Sequence, residues 1–451
     1  MMWVEQSEFL TVQVLKRRVA CLVFCLALVL PAAGAQPRLG NVILIQPDGA
    51  SLAAWNAFRL ASVGPDGLTS WDQLPGVAIY RSHFTDGLSP TAHGGGTVHA
   101  WGVKVATDSF GTDGGRAILA RSGQPRPLLA EAITANRAVG YVQSGHLAEA
   151  GSAVFLVSHA ERNEHAAIAE KLFLSGADVM LAGGEIYLLP KGVKGRHGAA
   201  GVREDGRDLI AEAKQAGYKV VYTKRELKAA AADEGVHKLL GVFAARATYN
   251  AATPEEQASA KLPAYLPDAP DLGEMTEAAL LVLARSGRRF ALVVEEEGAD
   301  DFARAQNPAG LFEALKRADK ALAAARMFLE YNPDTLLLAA ADADAAGPQV
   351  IGLGVSDPAM AKPPVVPAKT KAGLPVYGVA GKGSAPFLSG ADAAGRRFWF
   401  GISFSSAEDF PGGVVVRAQG LNSDRLPLNF DNTDVYAMMW ETLFGRELPA
   451  R

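Results

Sequence analysis

Apolar residues along this chain fall into short, nearly continuous runs, separated by stretches in which they recur at helical spacing. Residues 41–46, Asn-Val-Ile-Leu-Ile-Gln, lack polar alternation, which predicts a strand buried on both faces that ends at Pro47-Asp48-Gly49. Similar runs predict strands at 139–142, 178–181, 219–222, 291–295 and 335–341. Between them, residues 166–174, a segment opening at 205–209 and ending at Gly217, 272–285 and 310–330 carry the spacing of helices. Strands and helices in alternation predict an α/β fold with a doubly wound, mostly parallel sheet sandwiched between helices. No internal repeat or low-complexity linker divides the chain, so residues 36–451 are expected to form a single domain with surface insertions, one of them the Ala-, Pro- and acid-rich stretch 251–270.

The first residues follow a different pattern. Lys16, Arg17 and Arg18 precede the apolar run 19–30, and Pro31 and Ala33-Gly34-Ala35 follow it, which are the basic, apolar and small-residue parts of a secretory signal. The run is shorter than the ~18 residues a membrane-spanning helix needs. Residues 1–35 are therefore expected to be a removable signal, leaving an exported chain, periplasmic or secreted, that begins near Gln36 and has no membrane span. Cys21 and Cys25 lie inside that segment, so the exported chain has no disulfide and no thiol chemistry. The formal net charge is -4, and no Lys/Arg cluster appears in the body of the chain, which argues against nucleic acid as a partner.

Chemistry concentrates at the predicted strand ends. Asp48, Glu295 and Asp342 each follow a buried strand, and Asp300 lies one short loop beyond Glu295. The carboxyl edge of an open α/β sheet is where such folds place ligands. Carboxylates meeting there repel by roughly 4 kcal/mol per pair at ~4 Å and a surface-like dielectric, so they need cations, protons or an arginine. The plainer alternative is that each caps a helix or a turn and they never meet. A second segment, 89–105, reads Ser-Pro-Thr-Ala-His-Gly-Gly-Gly-Thr-Val-His-Ala-Trp-Gly-Val-Lys-Val. Pro90 and Gly94 to Gly96 predict a sharp turn with a helix from Thr97, whose free N–H groups would suit a phosphorylated or other anionic small molecule. An active site there calls for a hydroxyl or thiol, and the position that should carry it is Ala92.

The blocks 41–49, 97–104, 178–185, 187–191, 205–223, 239–243, 274–276, 332–336 and 432–436, taken in order, resemble those of the alkaline phosphatase family over nearly the whole mature chain. The resemblance implies a large, mostly parallel central sheet between helices, two catalytic zinc ions, a nearby magnesium, a serine nucleophile that is transiently phosphorylated, and often a homodimer. Carried over position by position, Asp48, Ser152 and Glu295 match the oxygen ligands of the magnesium site, Asp300 and Asp342 match the aspartates of the two zinc sites, and Arg162 matches the phosphate-binding arginine after a one-residue shift. The three zinc-ligand histidines are replaced by Arg304, Ala343 and Ser405, and no histidine follows His237. The nucleophile position is Ala92, preceded by Thr91.

Zinc favours imidazole and thiolate, whereas carboxylates and hydroxyls suit magnesium and other hard cations. Two expectations follow. In one, an exported alkaline-phosphatase-like protein is impaired or silent in phosphomonoester hydrolysis and keeps one hard-cation, magnesium-type site, with Arg304 standing in for a lost ion beside Asp300. In the other, it is an active metal-dependent phosphatase with a rebuilt site, attacking with a metal-bound water, or with Thr91 as a displaced nucleophile, His93 and His99 as new ligands, and Asp301 and Asp344 as extra oxygen donors. Catalytic groups must be placed to within an ångström or so, which favours reading Thr91 as a helix cap, His93 and His99 as polar or core residues, and Asp301 and Asp344 as solvated loop charges.

Overall fold

All six predicted apolar runs form strands of one sheet. In the computed structural model, which describes residues 36–356 and 362–449, they lie in a compact unit that begins at Arg38; the predicted signal lies outside the described residues. In chain order the strands are β1 (Asn41–Pro47), β2 (Gly76–Arg81), β3 (Ala138–His146), β4 (Val179–Gly183), β5 (Lys219–Val221), β6 (Leu239–Val242), β7 (Phe290–Glu296) and β8 (Thr335–Ala339). With Val415–Gly420 and Asn429–Asp431 they make a ten-stranded sheet, ordered Asn429–Asp431, β2, Val415–Gly420, β8, β1, β7, β3, β4, β6, β5. From β8 through β5 every neighbour is parallel. Val415–Gly420 runs antiparallel to both β8 and β2, so the sheet is mixed and only mostly parallel.

The unbroken apolar character of β1 has a direct cause. Val42 and Leu44 enter one hydrophobic core and Ile43 and Ile45 the other, so both faces of the strand are covered by helices. Leu272–Arg285 and Pro308–Tyr331 pack on the second face, and Leu128–Thr134 and Asp434–Phe444 on the first. A smaller five-stranded antiparallel sheet, built on Pro348–Val355 and Phe398–Phe404, is an addition that hydrophobic periodicity did not predict. The stretch 251–270 contains a short helix, Pro254–Ala260, started by a capping box in which Thr253 and Glu256 satisfy each other's backbone N–H groups. Among the described residues no helix is long and apolar enough to cross a membrane.

The segment 89–105 corrects the expected sharp turn. The helix begins at Ala92, not Thr97, and runs to Trp101, so all three glycines lie inside it. Thr91 is its N-cap: the hydroxyl accepts the Gly94 N–H at 3.2 Å, and the Thr91 carbonyl accepts the Gly95 N–H at 2.7 Å. Those two donors are therefore unavailable to an anion. The glycines serve close approach instead. A Cβ on Gly95 would lie 2.5 Å from Asp342 Cβ and 2.7 Å from its Oδ2. Helix propensity alone would make Gly95→Ala stabilising by about 1 kcal/mol, whereas overpacking of this kind costs about 1–3 kcal/mol. The contact should win, and urea unfolding of Gly95→Ala is expected to show a net loss on the order of 1 kcal/mol.

Candidate functional site

Strand register assembles the centre of the site. Gln46 on β1 lies opposite Glu295 on β7, which in turn lies opposite Gln143 on β3, so three polar side chains form a row across adjacent strands. Gln46 Nε2 donates to Glu295 Oε1 at 2.8 Å, and Gln143 Nε2 donates to Glu295 Oε2 and, at 3.0 Å, to Ser152 Oγ. Ser152 donates its proton to the Tyr141 hydroxyl at 3.2 Å, which donates to the Leu147 carbonyl at 2.9 Å. On the other side Gln46 Oε1 faces His99 Nδ1 at 2.9 Å, and Tyr80 Oη sits 2.6 Å from His99 Nε2. Because the Gln46 amide nitrogen is turned to Glu295, its oxygen must accept. His99 therefore carries its proton on Nδ1 and receives the Tyr80 hydroxyl at Nε2. Burial, reinforced by Lys104, pushes His99 down to about 3, so it is a neutral core link and offers no lone pair to a metal.

Around this row the expected carboxylates do meet. Oxygens of Asp48, Glu295 and Glu297 lie within 4.8 Å of one another, all on buried residues. Asp342 and Asp300 both press their charges on Asp48. Asp48 Oδ2, Glu297 Oε2 and both oxygens of Asp342 are buried with no hydrogen-bond donor. Burial is the main reason Asp48 and Glu297 are pushed well above the usual carboxylate range; Asp342 and Glu297 add to it for Asp48, and Glu149 and Glu295 for Glu297. Glu295 is pushed up to about 8, chiefly by burial, although the hydrogen bond it accepts from Gln46 pulls the other way. Four buried acceptors without donors fit a cation with hard oxygen preference.

The zinc sites implied by the resemblance do not fit the residues present. Arg304, at the end of the helix Gly298–Arg304, leans outward with 47% of its side chain exposed and pairs with Asp409 at 3.4 Å. Its charge also acts on Asp300, whose pKa it lowers against the raising effect of burial and of Asp409 and Asp301, so the guanidinium stands beside that carboxylate as expected while also pairing outward. Ala343 is buried and apolar, and Ser405 donates to the Gly347 carbonyl at 3.1 Å. No imidazole or thiolate stands at any of the three positions.

The remaining expected residues are placed as follows. Ala92 opens the glycine helix, and the Thr91 hydroxyl is held by the Thr107 carbonyl and by its capping role, so it is no displaced nucleophile poised over the carboxylates. His93 receives Arg162 Nη1 at its Nδ1, 2.8 Å away, and faces Asp108 with Nε2 at 3.2 Å. Burial and then Arg162 push it down to about 4. Arg162 therefore lies beside the start of the helix that carries Ala92, its guanidinium anchored on a neutral imidazole. Asp301 and Asp344 are not solvated loop charges: Asp301 accepts the Tyr249 hydroxyl at 2.6 Å, and burial pushes Asp344 up to about 6.

Several contributors escaped the sequence. Glu297 could have been found from Glu295-Glu296-Glu297 at the end of β7, since alternate residues of a strand face the same way. Glu296 points to the opposite face, where Arg317 grips both its oxygens at 3.0 and 2.7 Å. His146, the last residue of β3, and Glu149, just before the short helix Ala150–Ala153, pair at 2.9 Å. No periodicity marks Gln46 and Gln143, whose role depends on register.

The comparisons with known proteins agree with this architecture. A family model described as alkaline phosphatase matches residues 39–370. Streptomycin-6-phosphate phosphatase of Streptomyces griseus is 28% identical over 338 residues, which cover 67% of this chain and 73% of that protein. Alkaline phosphatase 4 of Bacillus subtilis (strain 168) is 26% identical over 323 residues, covering 69% of this chain but only 62% of its own length. Among solved structures, the alkaline phosphatase of Thermus thermophilus superposes with a TM-score of 0.69 at 22% identity, over 93% of this chain and 97% of that one. That of the Antarctic bacterium TAB5 gives 0.68 at 18%, over 91% and 100%. The family match over most of the chain, with the same mostly parallel sheet between helices, establishes that this protein belongs to the alkaline phosphatase family.

Proposed function

We propose that this is an exported alkaline-phosphatase-like protein that has lost phosphomonoester hydrolysis and keeps a single hard-cation site at the carboxyl edge of its sheet. The observation that carries the reading is Ala92: the first residue of the glycine helix bears no hydroxyl, and its neighbour Thr91 is committed to capping. The three positions that would supply imidazoles to zinc hold Arg304, Ala343 and Ser405, which removes the means of activating a hydroxyl or a water at neutral pH. The cation site is built on Asp48 and Glu295, with Ser152 beside them and Asp342 and Asp300 on its flank. A magnesium-type ion held there would neutralise a buried negative cluster. Arg162 is the residue placed to hold a phosphorylated or anionic small molecule. Export rests on the basic, apolar and small-residue order of residues 16–35.

One observation favours a second reading, an active phosphatase with a rebuilt metal site. His146 Nδ1 is buried with no partner while its Nε2 is held by Glu149, the arrangement in which a carboxylate orients a ligating imidazole. The purified mature chain should be assayed on an aryl phosphate with zinc, magnesium or manganese. Turnover no greater than that of Asp342→Ala is expected, and turnover that Asp342→Ala abolishes would establish the second reading.

A further inference from the structure

We infer that Glu297 is a direct ligand of the cation in this site, giving it a three-carboxylate set of Asp48, Glu295 and Glu297. The inference rests on the hard-cation reading above and adds a residue that the resemblance does not assign. Ligand oxygens of the three residues already lie within 4.8 Å of one another, close enough for one ion to touch all three. Glu297 Oε2 and Asp48 Oδ2 are buried without donors, so each has a lone pair directed into protein that no N–H or O–H uses.

The third expected ligand is differently placed. Ser152 Oγ gives its proton to Tyr141 and takes the Gln143 N–H, which leaves it one lone pair. Both Glu295 oxygens already accept an amide N–H, from Gln46 and Gln143, and each keeps further acceptor capacity. Glu297, like Asp48 and unlike Ser152 and Glu295, therefore keeps an oxygen that no protein donor uses. Outside the cluster, both oxygens of the neighbouring Asp342 are also buried and without hydrogen-bond donors. Glu297 also has reason to be where it is. β7 ends one residue earlier, Glu296 is pinned on the far face by Arg317, and the Glu297 backbone N–H donates to Ser144 Oγ at 3.0 Å, so the chain turns with the Glu297 carboxylate toward Asp48.

A third carboxylate in place of a neutral hydroxyl adds charge to the site, which raises affinity for divalent ions and favours calcium or manganese, which accept several carboxylates, over a magnesium that keeps its waters. The test is titration of the mature chain with Mn2+, Mg2+ and Ca2+ by calorimetry, for wild type, Glu297→Gln and, as a positive control, Asp48→Asn. Glu297→Gln should weaken Mn2+ binding at least about tenfold, and its metal-free thermal unfolding should occur at about the same temperature as wild type, because the amide keeps the size and shape of a carboxyl group whose Oε2 no protein donor holds. A merely structural glutamate would lower that temperature and leave the affinity unchanged. Wild-type binding that Glu297→Gln leaves within about twofold overturns the inference and leaves the hard-cation reading standing. Failure of the wild type to bind any of the three ions removes both.

Discussion

Stripped of divalent ions, the protein should lose stability between pH 6.5 and 8.5, and excess magnesium or manganese should abolish the loss. Glu295 has a folded pKa raised to about 8, above its ordinary value, chiefly by burial. A carboxyl shifted upward binds its proton more tightly when folded, so its contribution is full below the unfolded pKa and is lost as the pH rises through the folded one. Glu295 alone accounts for a loss of about 2 kcal/mol over this interval, and Asp48, Glu297 and Asp300, all held well above the usual range mainly by burial, add to it. The window matters because His93, His99 and His165 are shifted the other way, to about 4, 3 and 4, chiefly by burial. Neutral buried imidazoles are destabilising below the ordinary histidine pKa, so they oppose the carboxylates in acid and are silent above pH 6.5. Urea unfolding at the two pH values, with and without 10-fold excess metal, measures the effect; a flat metal-free profile would mean that the carboxylates are satisfied by protein groups.

Restoring the hydroxyl alone should restore almost nothing. Ala92→Ser places an oxygen at the start of the glycine helix, but a serine at its ordinary pKa is a weak nucleophile and needs an adjacent base or metal. Its gain in aryl phosphate turnover should stay below about tenfold. Adding Arg304→His, Ala343→His and Ser405→His to Ala92→Ser supplies the imidazoles beside Asp300 and Asp342. That variant should bind zinc and exceed Ala92→Ser by on the order of 100-fold or more. Ala343 is buried, so a histidine there strains the core, and circular dichroism should confirm folding before the kinetics are interpreted. Strong turnover by Ala92→Ser alone would show that a functional metal pair is already present.

The parts of this site that could be read in the sequence are those that local patterning encodes. β1, β7 and β8 are buried on both faces, so their apolar runs are unbroken and the carboxylates at or just beyond their carboxyl ends, Asp48, Glu295 and Asp342, stand at one edge. The glycine helix was hidden because three consecutive glycines disfavour a helix by roughly 1 kcal/mol each. Only tertiary contact reverses that preference: Gly95 against Asp342, and Gly96 against the Gly151 backbone. Gln46 and Gln143 acquire their role from strand register, which joins residues about a hundred or more positions apart and leaves no local trace. The second partner of Arg304 escaped for a related reason: the helix Gly298–Arg304 lets its last residue reach Asp409, on a strand about a hundred positions away, as well as act on Asp300. The strand β2, antiparallel to one neighbour and parallel to the other, alternates buried and exposed residues near the rim of the sheet, a weaker signal than a continuous apolar run.

A scaffold that retains its oxygen donors while lacking its imidazoles should reveal itself in what it carries. Elemental analysis of the mature chain, after dialysis from buffer containing equal zinc and magnesium or manganese, is the most direct measurement. One hard divalent ion per chain with no tightly held zinc is expected; two retained zinc ions per chain would contradict it.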